Sequence, residues 1–79
     1  MSPTVFRHGR YRGFFFSREE TRIHVHISSS DGEAKFWLEP IVALAGHSGL
    51  PARELSRMQA VVEEHRDEII QAWQEHFGT

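Results

Sequence analysis

His24-Val25-His26 is the run most able to do chemistry in this 79-residue chain. On a strand, two histidines at i and i+2 point to one side and Val25 points to the other. A matching run follows a turn at Asp31-Gly32. From Glu33 to Glu39 it alternates, setting Ala34, Phe36 and Leu38 against Glu33, Lys35, Trp37 and Glu39. A four-residue hairpin loop would pair Ser28 with Glu33, His26 with Lys35 and His24 with Trp37. A two-residue loop would instead pair His26 with Trp37 and His24 with Glu39. Both registers put the apolar sets together, so the parity is determined while the register stays open. Two imidazoles, an ammonium, an indole and one or two carboxylates then share the polar face.

Three chemistries suit that face. Neutral imidazoles at i and i+2 can chelate a divalent metal, but a site needs further ligands, and spacing does not assign Glu33, Glu39, His8 or His47 to it. Lys35 beside the pair opposes a cation, so no metal ligand is assigned and no cofactor is implied. Histidine as acid or base, with lysine as an electrostatic clamp, suits phosphodiester cleavage. In that reading His24, His26 and Lys35 are the candidate catalytic residues. Trp37 is then a stacking platform, and Arg7 and Arg12 are phosphate contacts. The third reading is a solvated or partner-facing strand surface with no catalysis, and it needs the fewest assumptions.

Other residues are weaker candidates. Arg7 and Arg12 fall opposite each other if Gly9-Arg10 is a two-residue hairpin loop, a repulsive arrangement that an anion would relieve. Phe14-Phe15-Phe16 places aromatic rings on both faces of its strand. His65 falls on an apolar helical stripe and reads as a core histidine. No glycine-rich phosphate loop, nucleophile elbow or diagnostic carboxylate pair is present.

The elements that must position these residues follow from periodicity. Strands are expected over residues 4–8, 11–17, 23–28 and 33–39, with 41–45 a candidate fifth, edge strand and 46–49 a loop. Residues 18–22 read as a polar loop. A helix is expected from Pro51 to Phe77, with the stripe Leu55, Met58, Val62, His65, Ile69, Trp73 and Phe77 at spacings of three and four. Straight, it would be about 40 Å long, so a bend near residues 63–67 or an overhanging end is expected. The fold class is α+β: one domain over residues 1–79, with a small antiparallel sheet followed by one long or bent helix packed on it.

Composition narrows the setting. The chain has no cysteine, which excludes disulfides and thiolate metal sites and fits a reducing, cytoplasmic compartment. No run approaches the roughly 18 apolar residues of a membrane span. A net charge of −2 argues against a bulk polyanion binder, yet Arg7, Arg10 and Arg12 form a local basic cluster and the chain from residue 63 onward is acidic.

Tyr11-Arg12, His24-Val25-His26, the run Gly32-Glu33-Ala34-Lys35-Phe36-Trp37-Leu38-Glu39-Pro40, Gly49-Leu50 and Ala52-Arg53-Glu54-Leu55 resemble the bacterial domain-of-unknown-function family 4160. The likeness continues through Val62-Glu63-Glu64-His65-Arg66 and Ala72-Trp73 and so covers nearly the whole chain. Its genes lie beside a second small family of unknown function (2442), in pairs labelled toxin–antitoxin-like. The resemblance therefore implies a partner-binding component of a two-gene module, its partner a small protein from the neighbouring gene; if the chain has an activity, RNA is its expected target. A non-catalytic interaction module is the alternative, and a metal-binding domain using the His-x-His strand is a third. A homodimer through the C-terminal helix is also expected, with Val61, Ile70 and the Trp73/Phe77 end left for a partner. Departures from the family pattern fall at Arg22-Ile23, where prolines are usual, at Pro51, where a capping Ser or Thr is usual, and at His47, which replaces Asn.

Overall fold

The aromatic and β-branched runs form strands as their alternation dictates. The computed structural model describes residues 4–16 and 22–78. Five strands, β1 (Thr4–His8), β2 (Tyr11–Phe14), β3 (His24–Ser28), β4 (Glu33–Trp37) and β5 (Ala43–Ser48), make one antiparallel sheet in the order β1-β2-β3-β4-β5. Two helices follow, α1 (Ala52–Glu64) and α2 (Arg66–Phe77). Among the described residues no helix is long and apolar enough to cross a membrane.

Short turns set the registers. Gly9 adopts φ 60°, and His8 pairs with Tyr11 around the two-residue loop Gly9-Arg10. A left-handed first loop residue is what a tight hairpin of this twist requires, and glycine takes it without steric cost. Arg7 therefore does face Arg12. At the next turn Ser28 pairs with Glu33, so β3 and β4 adopt the four-residue loop, closed by Ser29 N–H donating to the Gly32 carbonyl at 2.9 Å.

One sheet face is covered by the helices. Val25, Ile27, Ala34, Phe36 and Leu38 pack with Met58, Val62, Ile69 and Trp73 in one buried cluster. Each large apolar side chain removed from water contributes about 1.5–3 kcal/mol. Gly13 lets β1 join this core. Phe6 lies across it so closely that a Cβ on Gly13 would sit 2.3 Å from the ring.

Three expectations need correction. Strand β2 ends at Phe14 and β4 at Trp37, short of residues 17 and 39; the Leu38 carbonyl is taken instead by Arg66 Nε at 3.0 Å, and Pro40 has no N–H to offer a ladder. The expected loop at residues 46–49 is largely strand: β5 runs to Ser48, with a bulge that brings Gly46 opposite Lys35 and Leu44 opposite Phe36. The expected strand end and polar loop over residues 17–21 lie outside the described residues.

The third correction is the helix, which is two helices meeting at His65. A straight helix over the whole span would exceed the 34 Å long axis of the molecule. Neither proline nor glycine stands at the break. His65 adopts φ −100° and ψ 13°, and its N–H is shared between the Val61 and Val62 carbonyls. Its ring stacks on Phe6 at 4.4 Å and 16°, and Arg66 is anchored to Leu38, so contacts with the sheet hold the turn. The sheet also takes the apolar residues expected to await a partner. Val61 and Trp73 are buried, and Ile70 and Phe77 pack against the core. The exposed large hydrophobics among the described residues are Phe16, Ile41 and Leu44.

Candidate functional site

The face opposite Val25 and Phe36 carries His24, His26, Lys35 and Trp37. Its parity follows from the register: His24 is opposite Trp37, His26 opposite Lys35, and Phe14 opposite His26. The His24 and His26 rings meet edge-on at 5.4 Å, and His24 meets Trp37 at 5.8 Å. Cations lie over the aromatic rings. Lys35 Nζ sits 4.7 Å and the Arg22 guanidinium 4.2 Å from the Trp37 centroid, and Arg12 sits 4.7 Å from Phe14. Such contacts are worth about 0.5–1 kcal/mol when exposed. They hold the cations against the sheet, where Arg22 Nη2 also donates to the Glu39 carbonyl at 3.1 Å.

The histidines are less exposed than alternation alone implies. His24 is 1% exposed and His26 7%. Rings supply the cover: His26 lies between Phe14 and Phe16, at 5.4 and 4.3 Å, and His24 also meets Trp73 of α2 at 5.0 Å. His24 Nδ1 donates to the Arg22 carbonyl at 2.7 Å, which places the proton of the neutral ring on Nδ1 and makes Nε2 the basic atom. His26 and Lys35 border a shallow depression together with Glu33, Gly46 and Ser48.

Not every sequence candidate joins that depression. Arg7 is on the edge strand β1, three inter-strand spacings or about 15 Å from the strand of Trp37. Arg12 relieves its repulsion with Arg7 by turning along the sheet, where Nε donates to Thr4 Oγ1 at 2.8 Å. His47, exposed on β5, does line the depression. Among the described residues His24 and His26 gain no third ligand in a metal-sized cluster; the cluster of that kind lies elsewhere, at His8, Glu64 and His65.

Sequence reasoning missed a buried carboxylate. Glu54, in the first turn of α1, is 3% exposed; its Oε2 accepts from Tyr11 OH and from Arg10, both at 2.5 Å. Its signal was an acid four residues before Met58, on the helix's apolar face. The Tyr11 hydrogen bond, then the Arg10 charge, outweigh burial and hold the Glu54 carboxyl below its ordinary value. Burial, then the hydrogen bond to Glu54, push the Tyr11 phenol up. A carboxyl depressed in the folded state stabilises fully above its unfolded value, about pH 4.5, and that stabilisation disappears as pH falls through the lower folded value. Glu54→Gln is therefore expected to lower the urea midpoint at neutral pH and to weaken its fall below pH 4.5. Parallel wild-type and variant curves through the acid range would show that Glu54 is not the group responsible.

Fold and site together define a two-layer α+β domain with one helix-covered sheet face and one cationic, aromatic face. The chain belongs to the family described as a domain of unknown function (DUF4160), whose model matches residues 11–74. No curated protein and no solved structure matches it.

Proposed function

We propose that this chain is the RNA-binding, partner-controlled component of a bacterial two-gene, toxin–antitoxin-like module acting in the cytoplasm. The observation that carries the reading is the set Arg12, Arg22 and Lys35 laid over Phe14 and Trp37 on the uncovered sheet face. Cations tracking phosphates beside rings that stack on bases are what single-stranded RNA requires, and neither feature demands a particular sequence. If cleavage follows binding, His26 and Lys35 are placed for it, bordering one depression. Imidazole would move the proton, and the ammonium would offset charge developing on the phosphate. His24 would act from behind, through Nε2.

A protein partner is best placed on β5. That strand is a sheet edge, and Leu44 on it, 39% exposed, and Ile41 just before it, 70% exposed, present apolar surface. A strand added by the neighbouring gene's product would satisfy the edge and cover both. The helix-mediated homodimer loses its rationale, because the apolar residues that motivated it are already packed.

Fluorescence anisotropy with single-stranded RNA oligomers at several salt concentrations tests the RNA reading. Combining Arg22→Glu with Lys35→Glu should weaken binding at least tenfold and make it less salt-dependent, since each lost phosphate contact removes about 0.7 from the log–log slope. An affinity indifferent to salt and to both reversals would eliminate it. No RNA affinity together with tight capture of the neighbouring gene's product would instead establish the non-catalytic interaction module.

A further inference from the structure

His8 and His65, 57 residues apart in sequence, meet nitrogen to nitrogen at 3.3 Å where β1 passes the α1–α2 break. Glu64 stands beside them, its Oε2 at 3.8 Å from His8 Nδ1 and 3.9 Å from His65 Nε2. A hydrogen bond between the two rings accounts for the first distance. It does not account for a carboxylate oxygen nearly equidistant from both nitrogens and beyond hydrogen-bond length of each. Three atoms so spaced share a centre about 2.1 Å from each, which is the bond length of zinc to imidazole nitrogen and carboxylate oxygen.

The geometry points to a divalent-metal site of the zinc class, held by His8 Nδ1, His65 Nε2 and one Glu64 oxygen. The His65 ring is already oriented for it. Its Nδ1 lies 2.8 Å from Glu68 Oε1, so the proton belongs on Nδ1 and the lone pair of Nε2 faces the centre. A carboxylate behind a ligating histidine is the usual support of such sites, fixing the tautomer and raising the basicity of the ligand. Phe6, stacked on His65, fixes the plane of the ring. Charge also favours a dication: Glu64 and Glu68 supply two negative charges, while Arg66 turns away to Leu38 and Glu39.

Two imidazoles and a carboxylate suit zinc, cobalt or nickel rather than magnesium, which prefers an all-oxygen shell. The side chains of His8 and Glu64 are 41% and 65% exposed, which leaves the fourth position to water. The metal would pin the edge strand β1 to the helix break. The site shares no residue with the RNA-facing surface, so it stands or falls separately from the RNA reading.

The test is titration of chelator-stripped protein with Zn(II) by calorimetry and with Co(II) by visible absorption. One equivalent should bind with at least micromolar affinity, Co(II) should show the intense visible bands of a four-coordinate site, and Zn(II) should raise the melting temperature. His8→Ala and Glu64→Gln alter exposed side chains, so the stripped variants should melt like stripped wild type. His8→Ala should weaken binding a hundredfold or more, and Glu64→Gln at least tenfold. Glu68→Gln removes no ligand, yet should weaken it by about 10–100-fold, a loss that a mere histidine–histidine contact would not produce. Binding no tighter than millimolar would overturn the site. So would an affinity unchanged by His8→Ala, including binding that is lost instead in His26→Ala.

Discussion

Trp73→Ala is expected to cost about 3–5 kcal/mol, comparable with the whole stability of a domain this small. Trp73 is 3% exposed, and its ring meets Phe15 at 5.3 Å, His24 at 5.0 Å and Phe77 at 4.3 Å. It therefore joins α2 to β3 and to Phe15, just after β2, and truncation leaves a cavity that neither segment can close alone. Urea denaturation followed by circular dichroism measures the effect, with Trp37 providing a second, fluorescent probe. A loss under about 1 kcal/mol would mean that α2 does not dock on the sheet through this ring. Because His24 is one of its contacts, Trp73→Phe should be milder and should preserve the His24 environment.

Under the RNA-cleaving reading, replacing both His24 and His26 by Ala is expected to reduce turnover at least a hundredfold, since acid–base groups contribute about 10²–10⁴. Alternation alone would make this a surface change of little structural consequence. Burial of both rings alters that expectation. Removing His24 takes away the hydrogen bond to the Arg22 carbonyl, and removing His26 opens space between Phe14 and Phe16. Activity must therefore be expressed per folded molecule, using the denaturation midpoint of the same variant. His26→Gln keeps most of the volume and separates the roles: folded but inactive supports acid–base chemistry, whereas folded and active removes His26 from it. Lys35→Arg should retain part of the activity that Lys35→Ala loses, because the charge persists while its geometry changes.

Much of the fold was legible because strand parity and helix periodicity are local. Ile27 must oppose an apolar residue, Ala34 in one hairpin register and Phe36 in the other, rather than Lys35, since a one-residue slip would bury the lysine and expose the isoleucine. Met58, Val62, Ile69 and Trp73 form a stripe whatever they pack on. The shared face of His24, His26, Lys35 and Trp37 was legible for the same reason, and a bend near residues 63–67 or an overhanging helix end could be anticipated from length alone. The choice between the two hairpin registers, the extension of β5 through Ser48 and the division into two helices at His65 could not. The register follows from the turn that Ser29 and Gly32 close, and the other two are settled by contacts between distant segments: Arg66 with Leu38, His65 with Phe6, and Gly46 with Lys35. Burial of the two histidines belongs with these, because the rings that cover them come from β2 and α2. So do the pairing of Glu54 with Tyr11 and the convergence of His8, Glu64 and His65, residues that no periodicity relates. Sequence alone thus determined which side of each element is polar. Only tertiary packing decided which polar side chains meet, because that depends on how the helices cross the sheet and where the helical rod breaks to stay on it.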